Sequence, residues 1–136
     1  MPSRTLEEAA RGDIPARYAR PLVVELSPDG RTAFVLLGTN DEPYLYPYVE
    51  ICAREDDGWS GRSGMSFGGT GWTLVDAADG TGLLFFGGEA PAGAVEAVVR
   101  YRGAEHRVPV ASGFFVFVEW NVREDDWDQP ELIGFA

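Results

Sequence analysis

The amino-acid sequence predicts an all-β protein, an antiparallel β-sandwich of about eight strands preceded by a short N-terminal helix. Three observations carry this prediction. Between residues 83 and 120 the chain breaks into runs of four to eight residues rich in β-branched and aromatic side chains: 83–86, 95–102, 105–110 and 114–120. Turn-forming residues separate them, with Gly87, Gly88, Pro91 and Gly93 after the first run, Gly103 after the second and Ser112 and Gly113 after the third. Strands of this length at this spacing read as an antiparallel sheet system. Finally, residues 114–118 are apolar on both faces, as in a strand covered from two sides, which favours two layers over an open sheet.

The remaining elements follow in order. Thr5 and Glu8 stand three apart, the spacing of a capping box, so a helix over about 6–11 is expected to end at Gly12 and, at two turns, to need a sheet to dock on. Residues 21–27 and 31–37 flank Pro28, Asp29 and Gly30, which predicts a hairpin. The second of these runs is apolar on both faces after Thr32 and belongs inside a sheet. A strand over 44–54 is expected next, with Tyr44, Tyr46, Tyr48, Glu50, Cys52 and Arg54 on one face, and Pro47 implies an edge or a bulge there. Residues 58–71 hold six glycines and show no period, so they read as a long surface loop. Residues 72–76 resume a strand that pairs with 83–86. The tail, 121–136, mixes acidic residues with Trp127, Leu132, Ile133 and Phe135, so it is expected to pack on the body. At this length the chain reads as one domain over 1–136, with 1–20 as helix and lead-in.

Composition narrows the function. The chain has 22 acidic and 11 basic residues, a net charge of −11. That field disfavours nucleic acid and anionic membranes as partners. Apolar runs are too short to span a bilayer as helices, and residues 1–8 lack the apolar stretch of a signal peptide. With a single cysteine, Cys52, no intramolecular disulfide forms, and a cytoplasmic location is expected. All basic residues are arginine, so phosphate loops ending in Gly-Lys and Schiff-base lysines are excluded. The run from Gly88 through Tyr101, with Val108, Pro109 and Val110 and then Gly113, Phe114 and Phe115, resembles uncharacterised small β-sandwich proteins of high-GC bacteria. The resemblance covers the C-terminal third and implies a fold without implying an activity.

Chemistry-bearing motifs are few. Residues 64–68, Gly-Met-Ser-Phe-Gly, match the pattern of a serine-hydrolase elbow at Ser66, and Asp76, Asp79 and His106 follow in the order of such a triad. Neither a preceding strand nor a following helix is expected around Ser66, so a small hydrolase using Ser66 and His106, or a pair of carboxylates, stays an alternative. His106 reads as a half-buried strand residue. One histidine and one cysteine do not make a transition-metal site, and no cofactor is called for. The acidic runs 55–57 and 124–128 lack the spacing of a calcium loop and read as solvated turns, which leaves a calcium- or carbohydrate-binding module as a further alternative. The leading reading is a non-catalytic binding or protein-interaction module for a protein or small ligand, compatible with a homodimer through a sheet face or edge. Its candidate contact residues are Tyr44, Tyr46 and Tyr48 on one strand face, Trp59 and Trp72 bracketing the glycine-rich segment, and Ser66 and Phe67 within it, because aromatic rings on a sheet anchor interfaces and stack on sugars.

Overall fold

The computed structural model describes residues 4–12, 19–39, 47–56, 58–66, 71–76, 81–123 and 125–136, with side chains described for all of these except 39, 63, 65, 66, 72–76 and 81. One helix and ten strands lie among them, and every strand pair is antiparallel. The all-β class agrees with the sequence, with more strands than the eight expected. The chain divides into two compact units, Met1–Gly68 and Gly69–Ala136. Among the described residues no helix is long and apolar enough to cross a membrane.

The first unit is a four-stranded sheet carrying a helix. Helix α1, Leu6–Arg11, opens on the predicted capping box: the Glu8 N–H donates to the Thr5 hydroxyl oxygen at 3.1 Å and the Thr5 N–H to Glu8 Oε1 at 3.0 Å. The bond from the Thr5 backbone holds the Glu8 carboxyl below its usual value. At Gly12 the chain turns away with φ 56°, a conformation L-residues avoid. Strands β1 (Ala19–Leu26), β2 (Thr32–Thr39), β3 (Tyr48–Glu55) and β4 (Gly58–Ser66) pair in that order. As expected, β2 lies inside the sheet, and Ala33, Phe34, Val35, Leu36 and Leu37 are all fully buried. Ala9 and Ala10 of α1 cover the face formed by Ala19, Ala33, Val35, Leu37 and Cys52.

Two expectations in this unit need correction. Residues 58–66 are strand β4, not loop, because its backbone pairs with β3 from Glu55 opposite Gly58 to Tyr48 opposite Ser66. Glycine has no hydropathy to alternate, so the period that marks a strand vanished there. The tyrosine strand begins at Tyr48, directly after Pro47, and it is an inner strand rather than an edge. The irregularity expected of Pro47 falls instead between Ile51 and Cys52, where the register with β4 shifts.

The second unit contains β5 (Gly71–Asp76), β6 (Thr81–Glu89), β7 (Glu96–Tyr101), β8 (Ala104–Pro109), β9 (Phe114–Arg123) and β10 (Glu131–Phe135). They form two three-stranded sheets, ordered β5-β6-β9 and β10-β7-β8. Leu84 and Phe86 from β6, Ala97, Val99 and Tyr101 from β7, and Phe115, Phe117 and Val122 from β9 make one core between them. Phe115 is its centre, with the rings of Phe86 and Phe135 edge-on at 5.8 and 5.6 Å. Trp127, Leu132 and Phe135 of the tail pack against this core, Ile133 is exposed, and Glu131–Phe135 form a tenth strand on β7. Val95 precedes β7 and is 69% exposed. The β7–β8 hairpin turns at Arg102 and Gly103 with φ of 51° and 77°, and the bridge between Ala111 and Phe114 is closed by Ser112 and Gly113 at 49° and 82°. Two successive positive φ values are what a tight two-residue hairpin demands.

Thr5→Ala is expected to cost about 1 kcal/mol through the lost cap. The melting temperature of the first unit should fall by roughly 4–8 °C, while Thr5→Ser should stay close to the parent.

Candidate functional site

The residues expected to form a site are distributed unevenly. Tyr44, Tyr46 and Phe67 lie outside the described residues. The backbone of Ser66 ends β4 opposite Tyr48, and that of Trp72 sits in β5 opposite Phe86. Tyr48 and Trp59 are both half-buried against the α1-covered core, but at opposite ends of β3, Tyr48 opposite Ser66 and Trp59 opposite Arg54. Ser66 and His106 belong to different units, and the chain passes from β4 at Ser66 to β5 at Gly71 without room for the helix of a nucleophile elbow. His106 packs its ring on Phe117 at 4.9 Å, the half-buried strand role expected of it.

Under α1, the helix-side face of β3 carries Tyr48, Glu50 and Cys52 in a row. Opposite Glu50 and Cys52 in β4 stand Gly64 and Gly61. A Cβ on Gly64 would collide with the Tyr48 hydroxyl and the Glu50 carboxylate, and one on Gly61 with Glu50 and, at 3.2 Å, with the Ala9 carbonyl of α1. The bare backbone therefore makes room for two polar side chains beneath a helix. Burial pushes the Glu50 carboxyl up, against the lowering effect of the Tyr48 hydrogen bond. Tyr48 rises too, by burial and by the charge of Glu50. Cys52 is fully buried and its thiol is pushed up to about 12, first by burial and then by Glu50, so it is an inert core thiol. Among the described residues there is no cluster of three or more His, Cys, Asp or Glu side chains fit to hold a metal.

A second feature was not legible as a site. The β1–β2 and β3–β4 turns emerge at the same end of the first sheet and enclose a hollow of about 320 Å³ lined by Asp29, Gly30, Arg31, Arg54, Glu55 and Asp56. The Arg54 N–H donates to the Arg31 carbonyl at 2.8 Å, carrying the β2–β3 register one step beyond Thr32 and Ala53. Two of the three carboxylates are already engaged. Asp29 Oδ1 accepts from the Ser27 hydroxyl at 2.6 Å and the Arg31 N–H at 3.0 Å, which hold its carboxyl below the usual value. Glu55 accepts from the Ser60 hydroxyl at 2.8 Å and from Arg62 at 2.9 Å. The Arg54 guanidinium lies 6.0 Å from the centre of the Trp59 ring, its cross-strand neighbour. The Trp59 N–H in turn donates to the Arg4 carbonyl at 3.1 Å, tying the start of β4 to the entry of α1.

The other acid-rich segment behaves as a solvated turn. Arg123 pairs with Asp125 and Arg102 with Asp126, and the Arg102 guanidinium also reaches the Tyr101 hydroxyl. Tyr101, Arg102, Arg123 and Asp126 border a smaller hollow of about 240 Å³ with Glu119, Trp120 and Asn121. Asn121 has φ 59° where β9 carries an extra residue against β6, a conformation Asn tolerates.

Glu50 gives a signed prediction. Its carboxyl binds a proton more tightly in the fold than in the unfolded chain, so its contribution to stability is fully present below pH 4.5 and is lost as pH rises through its higher folded value. Glu50→Gln should therefore unfold at higher denaturant than the parent at pH 7–8, and the difference should vanish below pH 4.5. No family model matches this chain, and neither a curated protein nor a solved structure does. The functional reading accordingly rests on the geometry above.

Proposed function

We propose that this protein is a non-catalytic binding module whose ligand site is the hollow at the turn end of the four-stranded sheet. One observation supports it above the rest. Among the described residues, Arg31 and Arg54 line one hollow and neither has a carboxylate within ion-pair distance; Arg4 shares this, whereas Arg11, Arg62, Arg100, Arg102, Arg107 and Arg123 each have one. In a chain with twice as many acids as bases, a surface arginine finds a carboxylate easily. Two that do not, side by side, mark a place where the side chains serve something other than the fold. Trp59, one of the aromatic anchors expected from the sequence, backs this hollow through Arg54.

Catalysis finds little support in the same surface. Arginine holds its proton throughout the physiological range, so neither guanidinium can act as a general base. Asp29 and Glu55 are hydrogen-bonded in their charged forms. The hollow is suited to gripping a ligand rather than transforming one.

A thermal-shift screen against common metabolites tests the reading. A ligand at one hundred times its dissociation constant adds about 2.7 kcal/mol of stability, several degrees for a protein of this size. The parent should show such a shift with at least one compound, and the Arg31→Ala/Arg54→Ala double variant should lose it. A hit retained in full by the double variant would place the site elsewhere. Ester turnover that is lost on Ser66→Ala would replace the binding reading with the hydrolase one.

A further inference from the structure

We infer that the pair Arg31 and Arg54 is an oxyanion grip, taking the carboxylate or phosphate group of a small ligand. The inference rests on the reading of this hollow as the ligand site and names the chemistry it selects. Arg31 and Arg54 occupy opposed positions at the ends of β2 and β3, joined by the backbone bond from Arg54 to Arg31. Like charges directly opposite one another in a sheet are destabilising. No carboxylate among the described residues relieves this pair by direct contact. An anion seated between the two guanidiniums would convert the repulsion into two sets of charge-assisted hydrogen bonds.

Two of the three neighbouring carboxylates are held aside, and Asp56 is the one acidic side chain of the hollow left facing the ligand's charge. Arg62 and Ser60 draw the Glu55 carboxylate toward β4, and Ser27 with the Arg31 N–H fixes that of Asp29, so neither is free to swing onto a guanidinium. The Trp59 ring lies beside the Arg54 guanidinium, and a fork held against a ring loses less freedom when it closes on a planar carboxylate or a phosphate. Such bidentate contacts are shorter and stronger than neutral ones. The protein's overall charge of −11 opposes an anion at long range, but at physiological salt this field decays over about 8 Å. Two guanidiniums at contact distance then decide, and they select an anionic group on a small ligand over an extended polyanion, whose remaining charges would meet the acidic surface.

The test is a nuclear magnetic resonance titration of the full chain at constant ionic strength with sodium acetate, sodium phosphate and, as control, sodium chloride. The readouts are the Arg31 and Arg54 backbone amides and their side-chain Nε–H signals. The expected result is saturable shifts at both arginines with acetate or phosphate and none with chloride. Arg54→Gln should weaken binding tenfold or more, Arg54→Lys should fall between, and Arg107→Gln in the second unit should match the parent. Tighter binding of acetate assigns the ligand's carboxylate as the gripped group, and tighter binding of phosphate a phosphoryl group. Shifts that persist in Arg54→Gln, or no saturation with either anion, overturn the oxyanion grip. In that case an uncharged metabolite that still moves the Arg31 and Arg54 amides would leave the hollow as a binding site for other chemistry, whereas no response to any compound would end both readings.

Discussion

Helix α1 reaches the four-stranded sheet because Gly61 leaves space beneath it. A side chain at that position would displace the Glu50 carboxylate and press on the Ala9 carbonyl, which would have to give by a few tenths of an ångström. At six residues α1 has little stability of its own. Its order depends on the cap at Thr5 and Glu8 and on the burial of Ala9 and Ala10 against Ala33, Val35, Leu37 and Cys52. Small residues on both surfaces make this close approach feasible. Once the helix is down, the carbonyl of Arg4 meets the Trp59 N–H, Trp59 packs on the covered core, and Arg54 lies over the Trp59 ring. The geometry of the hollow is thus inherited from a contact on the helix-covered face.

The same close approach explains the polar row under the helix. Gly64 gives space to the Tyr48 hydroxyl and Glu50, which are held in partial burial, and among the described residues no cation offsets it. The arrangement keeps a desolvated acid at a cost in stability near neutral pH. Among its described residues the first unit therefore carries two departures from a purely structural surface, the desolvated Glu50 and the pair Arg31 and Arg54, which have no carboxylate within ion-pair distance. Both are on β3 or beside it. In the second unit the charges are mostly neutralised in place: Arg100 by Glu105, Arg107 by Glu96, Arg102 by Asp126 and Arg123 by Asp125.

How much of this could be read in advance follows from what each residue shows in a one-dimensional pattern. The cap at Thr5, the hairpin at Pro28 to Gly30 and the inner strand at Ala33 to Leu37 were legible because spacing, turn chemistry and two-sided apolarity are local signals. Strand β4 was hidden because its glycines serve the residues across from them, a requirement visible only after β3 and α1 are in place. Strand β10 was hidden because Glu131, Leu132, Ile133 and Gly134 carry a register shift against β7 that breaks the alternation. Of the contact residues expected from the sequence, Trp59 lies beside the hollow through Arg54, and Tyr48 lies at the other end of β3. Arg31 and Arg54 were missed because isolated arginines beside acidic turns look solvated, and only the pairing of β2 with β3 sets them side by side.

The central claim is that α1 is docked and that its docking organises the Trp59 end of the sheet. Amide hydrogen exchange tests this most directly, at Ala9 and Gly12, which donate to Thr5 and Glu8 within the helix, and at Trp59, which donates to Arg4. The account predicts that these three amides are protected together and open with the β3–β4 ladder. Rapid exchange at Ala9, Gly12 and Trp59 while β3 and β4 remain protected would show a helix free of its sheet, and would contradict it.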